Sequence, residues 1–155
     1  MAETIDVAEA WQMMESGAAV YLDVRSTGEF GHGHPRGAYN IPLIEPDMAT
    51  GRPSVNPAFQ QEVEALREHL IAAGGDPKLV IGCQRGGRSR QACQALEMTG
   101  ASGLLDCTGG WGGASNMLGQ LLAEGWIHSD LPSATEADPG RDWQSIQALV
   151  SDESA

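Results

Sequence analysis

Three short, nearly all-apolar runs recur along the chain with helix-patterned segments between them: "AAVYLDV" (18–24), "KLVIG" (78–82) and "SGLLDC" (102–107). A strand with one solvated face alternates apolar and polar residues, so a short run without alternation needs cover on both faces. Buried strands alternating with helical patterns predict an α/β layer structure, with a central, mostly parallel sheet flanked by helices. At 155 residues the chain is the length of one compact domain.

The helical segments carry their own punctuation. Asp6 precedes "VAEAWQMMESG", where Val7, Ala10, Trp11 and Met14 recur at helical spacing, Glu9 stands three residues on as in a capping box, and Gly17 ends the run. In "PAFQQEVEALREHLIAAGG" (57–75), Phe59, Val63, Leu66 and Leu70 line one face, with Pro57 expected in the first turn. "RSRQACQALEMTG" (88–100) predicts a helix closed by Gly100, and "NMLGQLLAEGW" (116–126) predicts a further amphipathic helix. Met13, Met14, Met98 and Met117 are expected to fill the core from such faces.

The rest reads as connections. "RSTGEFGHGHPRGAYNIPL" (25–43) is broken by glycine and proline, with a helical turn around Glu29 and Phe30 and a brief strand at Ala38 to Asn40. "IEPDMATGRPSVNP" (44–57) reads as a surface loop. Ser129 to Gly140 reads as linker-like, within an acidic C-terminal tail at 133–155 that carries Glu136, Asp138, Asp142, Asp152 and Glu153. Trp143, Ile146 and Leu149, three apart, suggest a short helix at 141–150.

Composition excludes several functions. The formal net charge is −12, from 9 Lys+Arg against 21 Asp+Glu, which repels nucleic acid and anionic membranes. No run approaches the roughly 20 apolar residues that span a bilayer. Glu3, Asp6 and Glu9 stand where a secretory signal needs positive charge, so a cytoplasmic location is expected. Three cysteines fit neither a disulfide framework nor a four-ligand zinc site, and reduced thiols are expected. His32 and His34 lack the further ligands a metal needs, and neither metal nor organic cofactor is expected.

Against this acidic background, "LVIGCQRGGRSRQAC" (79–93) gathers positive charge around one thiol. Cys83 stands at the end of a buried strand, just before a helix N-terminus, where free N–H groups and the helix dipole favour an anion. Gly86 and Gly87 allow successive N–H groups to turn inward, and Arg85, Arg88 and Arg90 add positive potential. The expected result is an exposed, reactive thiolate rather than a small core hydrophobe.

"CQRGGRS" resembles the C-x-x-G-x-R-S loop of rhodanese-type sulfurtransferases, in particular the single-domain members of plants and bacteria. "YLDVRSTGEFGHGHPRGAYNIP" and "TGGWGG" resemble further blocks of that family, so the resemblance covers residues 4–132 and implies a rhodanese-like three-layer fold. One departure is Arg36, which separates Pro35 from the Gly-Ala pair that a proline usually precedes. The resemblance implies that Cys83 attacks the outer sulfur of thiosulfate, releases sulfite and holds a persulfide, which cyanide, glutathione, a dithiol or a thioredoxin-like thiol then takes. N–H groups of Gln84, Arg85, Gly86, Gly87, Arg88 and Ser89 would cradle the persulfide, with Arg85 and Arg88 binding the anionic donor.

A phosphatase or arsenate reductase of the same architecture would need five residues between Cys and Arg; here there are four, and Ser89 stands where that Arg would be. A non-catalytic binding module is the alternative of a different class. Asp23 and Arg25 end a strand beside this loop and are expected to support it structurally. Cys93 reads as core packing on the following helix, Cys107 as a candidate second sulfur carrier, and Trp111 as a pocket wall or a core aromatic.

Overall fold

The computed structural model describes residues 2–154, with side chains through Ser151; Asp152 and Glu153 of the acidic tail have side chains outside the described residues. In chain order the elements are β1 (Glu3–Ile5), α1 (Val7–Ser16), β2 (Ala19–Asp23), α2 (Thr27–His32), β3 (His34–Pro35), β4 (Tyr39–Asn40), β5 (Ile44–Pro46), β6 (Pro53–Val55) and α3 (Phe59–Ala72). There follow β7 (Lys78–Gly82), α4 (Gly87–Met98), β8 (Leu104–Cys107), β9 (Ala114–Ser115), β10 (Leu121–Ala123), a 3₁₀ turn (Trp126–His128), β11 (Ser133–Ala134) and α5 (Trp143–Ser154).

The three unalternating runs are β2, β7 and β8. They sit inside a five-stranded sheet of order β1-β8-β7-β2-β4, in which every pair is parallel. Their side chains divide between two cores, because successive residues of a strand point to opposite faces. Leu22, Leu79, Ile81 and Leu104 pack against Phe59, Val63 and Leu66 of α3, Ala92 and Leu96 of α4, and Ile146 of α5. Ala19, Tyr21, Val80, Leu105 and Cys107 pack against Val7 and Ala10 of α1, Phe30 of α2, and Trp126. The short strand β1, too polar to stand out in the sequence, pairs with β8 at the sheet edge.

Local signals explain the helix ends. The Asp6 carboxylate accepts the Glu9 N–H at 2.8 Å, and Gly17 takes a left-handed φ of 80°. The capping box proper is on α2, where Ser26 and Glu29 satisfy one another's N–H groups. Helix α3 begins at Phe59 rather than Pro57, because Asn56 accepts the Ala58 N–H and holds Pro57 in the turn before it.

Three expectations are corrected. Residues 44–57 are not a plain loop: β5 and β6 pair antiparallel, with Asp47 accepting the N–H groups of Ala49 and Thr50 at the turn. Residues 116–126 are not a helix: Asn116 accepts from the N–H groups of Leu118 and Gln120, Gly119 turns at φ 79°, and β9 pairs with β10. An Asn that takes backbone donors at a turn competes with the helix for them. Met117, Leu118, Leu121 and Leu122 are consequently exposed, and Met98 is exposed on α4, so neither Met98 nor Met117 fills the core.

The third correction concerns the linker-like stretch. Strand β11 pairs with β3, Pro132 O accepts from Arg36 N and Trp126 Nε1, and Arg141 donates from Nη1 to Gly37 O at 2.6 Å. Beyond it, α5 docks on α3, with Ile146 fully buried. The buried Glu62 carboxylate receives Trp143 Nε1 at 3.1 Å and Asn56 Nδ2 at 2.7 Å, so hairpin, α3 and α5 share one polar anchor.

Candidate active site

Parallel strands deliver the segments that follow them to one edge of the sheet, where α/β proteins gather their loops. Here those segments are Val24 and Arg25 after β2, Cys83 to Gly86 after β7, and Thr108 to Gly113 after β8. The last residue of β7, Gly82, lacks a side chain that would collide with the Tyr21 hydroxyl of the neighbouring strand. Gly86, at φ 102°, is the N-cap of α4 and turns its N–H onto the Cys83 sulfur at 3.0 Å.

Cys83 is not exposed, as the sequence suggests, but buried, with 2% of the residue's surface accessible. Gly86 N–H covers one side, and the Ser89 hydroxyl stands 3.6 Å away. Ser89 in turn donates to Asp106 Oδ1 at 2.8 Å. The segment after β8 closes the loop's back: Trp111 N–H donates to Cys83 O at 2.8 Å, and Gly112 N–H to Gln84 O at 3.0 Å. A side chain at Gly110 would overlap Cys83 O, so that glycine lets backbone lie on backbone, and one at Gly112 would meet the Gln84 side-chain amide.

The arginines do not all face the thiol's mouth. Arg25 is buried, donates from Nη2 to Asp23 Oδ2 at 2.7 Å and to Gly33 O at 2.6 Å, and reaches Gln84 Oε1 from Nη1 at 3.1 Å. Its guanidinium lies 5.2 Å from the Trp111 ring centroid. Asp23 and Arg25 thus support the loop from below. Arg88 makes a two-pronged pair with Glu29, Nη1 to Oε1 at 2.6 Å and Nη2 to Oε2 at 2.9 Å. That pair lowers the Glu29 carboxyl to about 2 and raises the Arg88 guanidinium. Arg85, Gly87 and Arg90 are exposed.

The other candidates resolve as structural. Cys93 packs into the core from the buried face of α4, and burial pushes its thiol up to about 12. Cys107 points to the opposite face of the sheet from Asp106, packs beside Tyr21 in the core on the α1 side, and burial pushes its thiol up to about 12 as well. His32 Nδ1 meets Gly28 O at 2.7 Å and His34 Nδ1 meets Phe30 O at 2.8 Å, with the His34 ring stacked on Phe30. Trp111 does both: its N–H backs the loop at Cys83 O, and its half-buried side chain packs against the core cluster of Tyr21, Phe30 and Trp126. Sequence reasoning missed the partners Glu29 and Asp106; an aspartate inside the apolar run "SGLLDC" is the signal that marks the second.

The sequence profile of the Rhodanese-like domain matches residues 6–116, and the chain belongs to that family. It is 37% identical over 91 residues to thiosulfate sulfurtransferase 16, chloroplastic, of Arabidopsis thaliana, covering 59% of this chain and 69% of that one. Of another plant relative, senescence-associated protein DIN1 of Raphanus sativus, 33% identical, the chain spans about half the length. Among solved structures, Rv0390 from M. tuberculosis matches 87% of this chain and 98% of its own with a TM-score of 0.64 at 23% identity, a likeness of fold. The human single-domain sulfurtransferase TSTD1 matches 72% of this chain and 93% of its own, TM-score 0.52, at 27% identity. This is a rhodanese-like sulfurtransferase family member with a central parallel sheet flanked by helices.

Proposed function

We propose that the protein moves the sulfane sulfur of thiosulfate or a related donor to a thiol or cyanide acceptor, with Cys83 as the carrier. The observation that carries this reading is the Gly86 N–H aimed at the Cys83 sulfur, 3.0 Å away, at the junction of β7 and α4. A thiolate there attacks the donor's terminal sulfur, the donor's remaining group leaves with the electron pair, and Cys83 holds a persulfide. The first-turn N–H groups of α4 and its dipole favour the negative charge in both states. A persulfide also carries the reactive atom outward by one S–S bond of about 2.05 Å, which brings it from a covered position toward an acceptor.

Mass spectrometry after treatment with thiosulfate, without reducing agent, tests the reading. A gain of one sulfur on Cys83 is expected, as is loss of thiocyanate formation in Cys83→Ser with the fold retained. Absence of the gain favours the non-catalytic binding module. The four-residue spacing between Cys83 and Arg88, together with Arg88 held by Glu29, disfavours a phosphate-binding reading. Three unpaired thiols suit a reducing compartment such as the cytoplasm, which cell fractionation would test.

A further inference from the structure

At the sheet edge opposite the Cys83 loop, where β2 and β7 begin, a cavity of about 420 Å³ opens between α1 and α3. One side of it is the outer flank of β2. Strand β4 pairs only with Leu22 and Asp23, so Ala19, Val20 and Tyr21 have no strand beside them on that flank among the described residues. Trp11 and Met14 of α1, Leu70 of α3 and Pro77 supply apolar walls.

Two of the chain's nine Lys and Arg residues, Arg36 and Arg141, line the same cavity, against one carboxylate, the exposed Glu15. Among the described residues neither arginine forms an ion pair. Arg141 is half-buried and held in place, with Nη1 donating to Gly37 O at 2.6 Å and its guanidinium 4.7 Å from the Tyr39 ring centroid. Arg36 is exposed at its side chain and fixed at its backbone, where its N–H donates to Pro132 O. Both cations stand outside the shared family pattern: Arg36 interrupts it after Pro35, and Arg141 lies beyond the matched residues 6–116.

We propose that this cavity binds a small organic acid with one negative charge and a flat apolar body, an aryl carboxylate, at a site separate from Cys83. Covering the ring with Trp11, Met14 and Leu70 removes apolar surface from water, and a guanidinium, whose paired N–H donors match a carboxylate, orients the acid. Two arginines against one glutamate leave the cavity positive on a molecule of net charge −12, which favours an anion there and disfavours a cation. At about 3.3 Å per residue, β7 carries the chain about 20 Å from Pro77 to Cys83, so the bound acid leaves the thiol uncovered.

The experiment titrates nitrogen-labelled protein with 2-naphthoate and follows the tryptophan indole N–H signals by NMR, that of Trp11 being assigned from Trp11→Phe. Saturable movement of the Trp11 signal with a Kd of about 1 mM or tighter is expected, with the Trp143 signal unmoved. The neutral analogue 2-naphthamide should bind at least about fivefold more weakly, and so should 2-naphthoate to Arg36→Gln, a change at an exposed side chain. Cys83→Ser should bind the acid as the unaltered protein does.

No saturable movement of Trp11, or equal affinity for acid and amide, overturns the proposal, and both are read in the unaltered protein whether or not the variant folds. Affinity untouched by Arg36→Gln overturns it as well, as does movement of the Trp143 signal in step with that of Trp11. Loss of binding in Cys83→Ser would place the acid at the active loop and overturns the separate site. The sulfurtransferase reading stands or falls on sulfur loading of Cys83, which none of these titrations measures.

Discussion

At the scale of single residues, the loop is governed by pairings that set which charges are available. Glu29 shows how one side chain serves two elements: it closes the capping box of α2 and holds Arg88 of α4. Its carboxyl falls from an ordinary 4.5 to about 2 because the folded state favours the ionised form. A depressed carboxyl contributes stability above its unfolded value and loses it as pH falls through the folded one. The stability advantage of the unaltered protein over Glu29→Gln should therefore be full at neutral pH, shrink below about 4.5 and vanish near 2. Denaturant midpoints of the two proteins between pH 7 and pH 2 check this; an advantage that grows in acid would contradict the pairing. Alkylation at neutral pH should mark Cys83, which stands at the head of α4 with the Gly86 N–H on its sulfur, ahead of Cys93 and Cys107, whose thiols burial pushes up to about 12.

At the scale of elements, helices and buried strands were legible because their apolar periodicity is local, whereas short hairpins were not. The patterns around Val7, Phe59 and Ala92 place α1, α3 and α4, each with a buried stripe. In 116–126 the same kind of pattern misleads. Leu118, Leu121 and Leu122 look like a helix face, but a turn built on Asn116 and Gly119 leaves them in solvent. The C-terminal helix goes the other way: its three-apart spacing is weak, yet Ile146 is fully buried between α5 and the body of the molecule. Ile146→Ala should cost about 2–5 kcal/mol. A lower Tm with transfer retained by the folded fraction is the expected outcome, and an unchanged Tm would mean that α5 contributes nothing.

At the scale of the whole molecule, a charge of −12 works against compaction and against anionic partners alike. Raising salt from near zero to about 0.15 M, where the screening length is about 8 Å, should raise the Tm by weakening self-repulsion. A fall would show instead that the exposed ion pairs outweigh it. The sequence by itself determined the layered α/β fold, the parallel central strands and the placement of Cys83 between β7 and α4, because periodicity, strand length and glycine positions are properties of neighbouring residues. Only the tertiary structure decided that the sulfur is covered, that Arg88 belongs to Glu29 and that Ser89 leans on Asp106. Those pairs join residues 59 and 17 positions apart, and their partners meet only when parallel strands bring distant segments to one sheet edge.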